Sequence, residues 1–287
     1  MTAILKHELR SCFHSLTAYV FGAFLLAFIG FGAMLYNIQE SVSNFEFVLG
    51  FSAIVFVILV PILTMRVIAE EKRQKTDQLL YSLPVTTTQI VVGKYLALLA
   101  VFAIPLAFVG LYPLIFARFG EVSLLTAYGA LFAFFLTGAA LMALGMFLSS
   151  LTESQGMAAG MGIAVILLNY YSVSLAEQVT STAYGALLVL TVCIFLLYFV
   201  IEHLTGNSKL AFGLSCGLMA LTMIGYFLSQ EHFEGLIPRI VSGLSVFARL
   251  DVFINGMFDL TAVVYFLSFA GMFLFLTVQS LEKKRYH

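Results

Sequence analysis

Apolar runs of about 20 residues, separated by short polar intervals, recur along nearly the whole chain. Such a run, carrying few charges, matches a helix that crosses a hydrocarbon layer about 30 Å thick. Eight are predicted, over residues 18–37, 47–66, 93–117, 124–149, 156–175, 183–202, 209–229 and 261–280. Prolines interrupt two of them, Pro61 in the second and Pro105 and Pro113 in the third. Kinks inside a helix bundle are expected there, because freed carbonyls at membrane depth need partners from neighbouring helices. The pattern predicts an all-α polytopic membrane protein, one transmembrane domain over residues 1–287.

The polar intervals carry their own pattern. The densest charge in the chain, Glu70-Glu71-Lys72-Arg73-Gln74-Lys75-Thr76-Asp77, follows the second run. Charge then gives way to Leu79, Leu80 and Leu83, a short apolar patch that Pro84 ends. Thr86 and Gln89 have capping-box spacing before the third run. Segment 67–86 therefore predicts a short helix, a proline turn and a capped transmembrane helix in succession. A merely solvated loop would account for the charges but leaves the clustered leucines without a role. In the interval 231–258, Leu236, Ile237, Ile240, Val241, Leu244, Phe247 and Leu250 recur at helical spacing, with Pro238 suited to a first turn. That segment predicts one or two amphipathic helices at the outer interface, too interrupted to be a span.

Composition agrees with the pattern. The chain is 61% hydrophobic and 10% charged, with a mean hydropathy of +1.03; soluble domains hold about 45–50% apolar residues. The net charge of −1 says little, but its distribution does. A cytoplasmic N-terminus places eleven Lys and Arg residues inside and only Arg118, Arg239 and Arg249 outside. An even number of spans returns the C-terminus to the cytoplasm. The first run, lacking a small-residue cleavage site, is expected to be a retained span rather than a removed signal.

Candidate chemistry is sparse. Cys12, Cys193 and Cys216 are scattered and show no metal or disulfide spacing. Before Gly93-Lys94 a phosphate-binding loop would need glycine where Thr88 stands, and Ser or Thr where Tyr95 stands. Lys94 reads instead as an anchor at the cytoplasmic end of the third span. The loop Glu231-His232-Phe233-Glu234 offers donors that more simply solvate it. Gly156/Gly160 and Gly213/Gly217 have the spacing of close helix packing. Asn169, Tyr170 and Tyr171 are the most polar patch inside the fifth run, suited to a helix–helix hydrogen bond first and to substrate contact second.

The stretch VIAEEKRQKTDQLLYSLPVTTTQIVVGKYLALLA resembles the signature of permease subunits of the ABC-2 type exporter superfamily. The residues that carry the likeness are Glu70, Glu71, Lys72, Thr76, Leu79, Leu80, Pro84, Ile90, Val91, Gly93, Lys94, Leu96 and Ala97. Residues 235–287 also resemble the end of gliding-motility-associated permeases and, more distantly, of permeases for nitrous-oxide-reductase maturation. Two departures stand out: Lys75-Thr76-Asp77-Gln78 replaces the common Gly-Thr-x-Glu, and a helix pair around 183–229 is added to a six-span core.

The resemblance implies that Glu70, Glu71, Lys72, Arg73, Thr76, Leu79, Leu80, Leu83 and Pro84 form a coupling helix. That helix would dock on a separate ATPase dimer, which binds ATP and Mg; no cofactor is expected in this chain. It further implies a second permease chain, the same or related, an extracytoplasmic auxiliary protein, and a place in the cytoplasmic (inner) membrane. Asn169, Tyr170 and Tyr171 would lie near the translocation path. No nucleic-acid partner is implied. An intramembrane protease or acyltransferase would need paired catalytic residues at membrane depth; a non-transporting scaffold or sensor would not.

Overall fold

The computed structural model describes residues 2–14, 16–75, 86–179, 183–205, 208–228 and 233–285. Every regular element among them is helical. The helices are α1 (Thr2–His14), α2 (Leu16–Ala33, extended by a π-helical stretch Met34–Gln39), α3 (Glu46–Ser52), α4 (Phe56–Thr64) and α5 (Ala69–Gln74). Next come α6 (Thr87–Val109), α7 (Tyr112–Phe116), α8 (Leu124–Leu151), α9 (Gln155–Val179), α10 (Ala183–Thr205) and α11 (Ser208–Leu228). The chain ends with α12 (Leu236–Leu244), α13 (Val246–Ile254) and α14 (Leu260–Arg285).

Among the described residues, six helical stretches are long and apolar enough to cross a membrane. They are Leu16–Gln39, Glu46–Gln74, Thr87–Phe116, Leu124–Leu151, Gln155–Leu175 and Leu260–Lys283. The apolar helices Ala183–Val192 and Phe212–Phe227 are shorter by the same measure. The chain divides into two compact units, residues 1–170 with 246–287, and residues 171–245.

In the larger unit α8 is the central post. Its apolar window is 78% buried, the highest of the six spans, and α14, α13 and α4 pack against it. Midway along, Phe56 of α4, Phe102 of α6 and Phe134 of α8 meet, with ring centroids 4.5 Å apart for Phe56–Phe134 and 5.8 Å for Phe56–Phe102. All three rings are fully buried. Backbones come close where glycine removes a side chain: a Cβ at Gly138 would stand 2.5 Å from the Phe102 ring, and one at Gly162 would stand 3.0 Å from Pro61. Close approach therefore falls at these positions rather than at the pairs with the expected spacing. A Cβ at Gly160, Gly213 or Gly217 would meet nothing within 4 Å, and one at Gly156 only the Ser154 hydroxyl at 3.9 Å. A four-residue spacing records that glycines share a face, but not that a neighbour lies against it.

In the smaller unit α10 and α11 form an antiparallel hairpin, with Ala186 of α10 and Phe233 buried in one cluster. The 231–258 interval holds two helices, parted at Ser245 by an extended backbone (φ −75°, ψ 124°).

Candidate coupling site

The charged interval after the second span is a continuation of that span's helix, and the end of α8 holds the joint. Between α4 and α5 the chain turns through Met65–Ile68. There the amide of Ala69, which in an unbroken helix would donate to Met65 O, donates to Ser149 Oγ at 3.1 Å. The Ser149 hydroxyl in turn donates to Met65 O at 3.2 Å. A side-chain hydroxyl is thus inserted into the backbone ladder, an identifiable cause of a bend. Thr64, one residue before the turn, donates to Val60 O at 2.9 Å and is buried against α8.

Lys72 secures the next turn. Although it lies in a densely charged run, it is buried, and its Nζ donates to Ser150 O at the C-terminal end of α8. Carbonyls in the last turn of a helix lack intrahelical partners and carry partial negative charge, so an ammonium is favoured there. Along α5, Arg66 pairs with Glu70 (3.4 Å), and Gln74 donates to Glu70 (3.3 Å), both at i, i+4 spacing. Arg73, Gln74 and Lys75 are exposed. Lys75 ends the helix in the left-handed conformation (φ 57°, ψ 22°), its amide donating to Lys72 O. The departure from Gly to Lys75 therefore falls where glycine would adopt the backbone without strain.

Lys94 is the second fixed point. A Cβ at Gly93 would lie 3.0 Å from Ile4 Cγ2, so the bare glycine lets α1 cross α6 closely. One turn after Ile4 on the same face of α1 comes Glu8. Lys94 Nζ donates to Glu8 Oε1 at 2.8 Å and to Glu71 Oε1 at 2.5 Å. Its side chain is 2% exposed, against 17% for Glu8 and 27% for Glu71. The lysine expected to anchor the end of the third span turns inward, tying α1, the base of the second span and the start of the third. Near this junction, burial and the Glu8 carboxylate push the Cys12 thiol above its ordinary value, with Lys94 acting the other way. Thr86 begins α6 with its hydroxyl accepting from Gln89 N at 3.3 Å.

Thr76, Leu79, Leu80, Leu83 and Pro84 lie outside the described residues, as do Glu231 and His232. At the other end of the bundle Asn169 Oδ1 accepts from Val246 N at 3.0 Å, capping the start of α13. The Tyr170 ring meets Phe247 edge-on, with centroids 5.0 Å apart. The first two residues of the polar patch in the fifth span thus hold the segment that precedes the last one. Tyr171 is 45% exposed.

Sequence reasoning missed Ser149 and Ser150, because two small hydroxyls at the end of an apolar helix show no sign of what they meet. The available signal was the dense charge directly after the second apolar run: a helix interrupted there needs its backbone groups satisfied from elsewhere.

The chain matches no curated protein. Residues 2–183, well over half of its length, match a family described as ABC-2 family transporter protein. With the six apolar spans, this places the chain in that family, as a multi-pass membrane permease component of an ABC exporter.

Proposed function

We infer that residues 67–86 transmit the work of a separate ATPase dimer to the spans, with Glu70–Leu83 as the docking and coupling element. The observation that carries this reading is the double fixation of α5: Ser149 and Ser150 hold it to α8, and Glu71 holds it to Lys94. A force applied just beyond Gln74 would reach three spans and α1 through these bonds rather than dissipate in a loose loop. ATP and Mg would be bound by the partner. A second permease chain, the same or related, would complete the exporter, and the gliding-type resemblance adds an extracytoplasmic auxiliary protein as a target of the work. Asn169, Tyr170 and Tyr171 are the candidates for the translocation path, and the first two also meet α13.

The decisive experiment is pull-down of the ATPase with permease variants, together with ATPase rates in nanodiscs. A buried leucine contact is worth about 1–3 kcal/mol, and a rim charge about 1 kcal/mol or less. Leu79→Asp and Leu80→Asp, which also bury a carboxylate, are expected to detach or uncouple the ATPase. Lys75→Ala, at an exposed position, is expected to change little. Lys72 is not a rim control, because its loss would strip the end of α8. Full binding and full coupled activity in both leucine variants would refute the docking face.

Orientation is tested separately. In a cysteine-free background, cysteines at the exposed positions Gln39 and Glu234 should react with an impermeant thiol reagent from outside intact cells. One at exposed Gln74 should not. Labelling of Gln74 from outside would invert the assignment.

A further inference from the structure

Beside the Lys94 junction lies a cleft of about 540 Å³, walled by α1, the first residues of α2 and the α4–α5 joint. We propose that this cleft binds a zwitterionic headgroup pairing a phosphate with a primary ammonium, as in phosphatidylethanolamine. The proposal does not depend on ATPase docking.

Position is the first argument. The cleft sits where the first span begins at Leu16 and where the apolar part of the second ends at Thr64, the depth at which headgroups lie. Its lining combines the apolar Ala18, Leu63 and Val67 with charged side chains, the two chemistries that a lipid's acyl chain and headgroup require.

Charge is the second. Arg66 offers five N–H donors, of which Nη1 serves Thr17 Oγ1 (2.8 Å) and Nε faces Glu70 (3.4 Å). With 43% of its side chain exposed, its planar fork retains donors for a phosphate, the anion it matches best. Glu8 lends Oε1 to Lys94, while its Oε2 has no partner among the described residues and can accept from an ammonium. With His7 on the wall counted neutral, three carboxylates, Glu8, Glu70 and Glu71, face two cations, Arg66 and Lys94, around this cleft. That balance disfavours an anionic headgroup and favours one that brings its own positive charge. A quaternary ammonium has no N–H to donate, so a primary ammonium is preferred to choline.

The test uses the full-length protein in nanodiscs of phosphatidylcholine doped with phosphatidylethanolamine or, separately, phosphatidylglycerol. Retained lipid is counted by native mass spectrometry after gentle release. Wild type should retain phosphatidylethanolamine selectively, and Arg66→Gln should lower that retention about tenfold, the effect of losing one charge-assisted contact. Arg66→Lys should recover part of it. Glu8→Gln should erode the preference for phosphatidylethanolamine over phosphatidylcholine. A parallel arm adds soluble phosphoethanolamine; displacement of lipid by it supports the same recognition chemistry, and binding of it without retained lipid assigns the site to the free compound. Equal retention of all three lipids by wild type, or retention unchanged in folded Arg66→Gln and Glu8→Gln, would overturn the proposal.

Discussion

Lys94→Met is expected to destabilise the protein by about 3 kcal/mol, near the lower end of what breaking a buried ion pair costs. The side chain is 2% exposed and shared by two carboxylates, so its removal leaves Glu8 and Glu71 facing each other without the charge that joins them. Both carboxylates keep some access to water, which holds the penalty below that of a wholly buried pair. Methionine keeps the length and apolar volume of the stem, so the loss reports charge and hydrogen bonds rather than a cavity. The measurement is reversible unfolding of purified protein in detergent, followed by a double-mutant cycle. Glu71→Gln in the Lys94→Met background should recover part of the loss, because one of the two like charges left facing each other is gone. Unaltered stability in Lys94→Met, or strictly additive effects of the two changes, would show that the triad does not tie these helices together.

The same lysine shows how far the sequence could be read. Apolar run length predicted eight spans, and the six found long and apolar enough among the described residues are all among them, since a stretch that long admits little else in a chain of this composition. It could not show that Lys94 turns inward, because what covers it is α1, whose Glu8 lies 86 positions away and outside every apolar run. The burial of Lys72 was illegible for a related reason: a lysine in a charged run resembles its exposed neighbours until the end of α8 comes within reach of it. Asn169 was legible in kind, an amide needing a partner at membrane depth, but its Oδ1 accepts from the Val246 amide, a backbone group that no side-chain pattern could nominate. In each case the residue type stated a requirement, and only the tertiary fold met it.

Gly145→Val is expected to be more damaging still. A Cβ at Gly145 would collide with the Thr64 side chain, coming within 2.9 Å of its Cβ and 3.0 Å of its Cγ2, with Oγ1 closer yet. Thr64 cannot swing aside easily: it is β-branched, 1% exposed and hydrogen-bonded to Val60 O. Overpacking of this kind costs about 1–3 kcal/mol and occasionally more. Here a second loss is added. Ser149 lies one turn beyond Gly145 on the same face of α8, so pushing α8 away from α4 also withdraws the hydroxyl that bridges Ala69 and Met65. A loss of about 4 kcal/mol follows from the clash together with two buried hydrogen bonds. Gly129→Ala on the same helix is the control: its Cβ meets nothing within 4 Å, so helix propensity alone predicts a gain of up to about 1 kcal/mol. Thr64→Gly combined with Gly145→Ala should restore part of the stability by reopening the contact, offset by about 1 kcal/mol for a glycine inside a helix. Unfolding midpoints of the four proteins decide the matter. If Gly145→Val unfolds with the wild type, α8 and α4 do not meet at Gly145, and the joint that Ser149 holds between the second span and its charged extension has no structural basis.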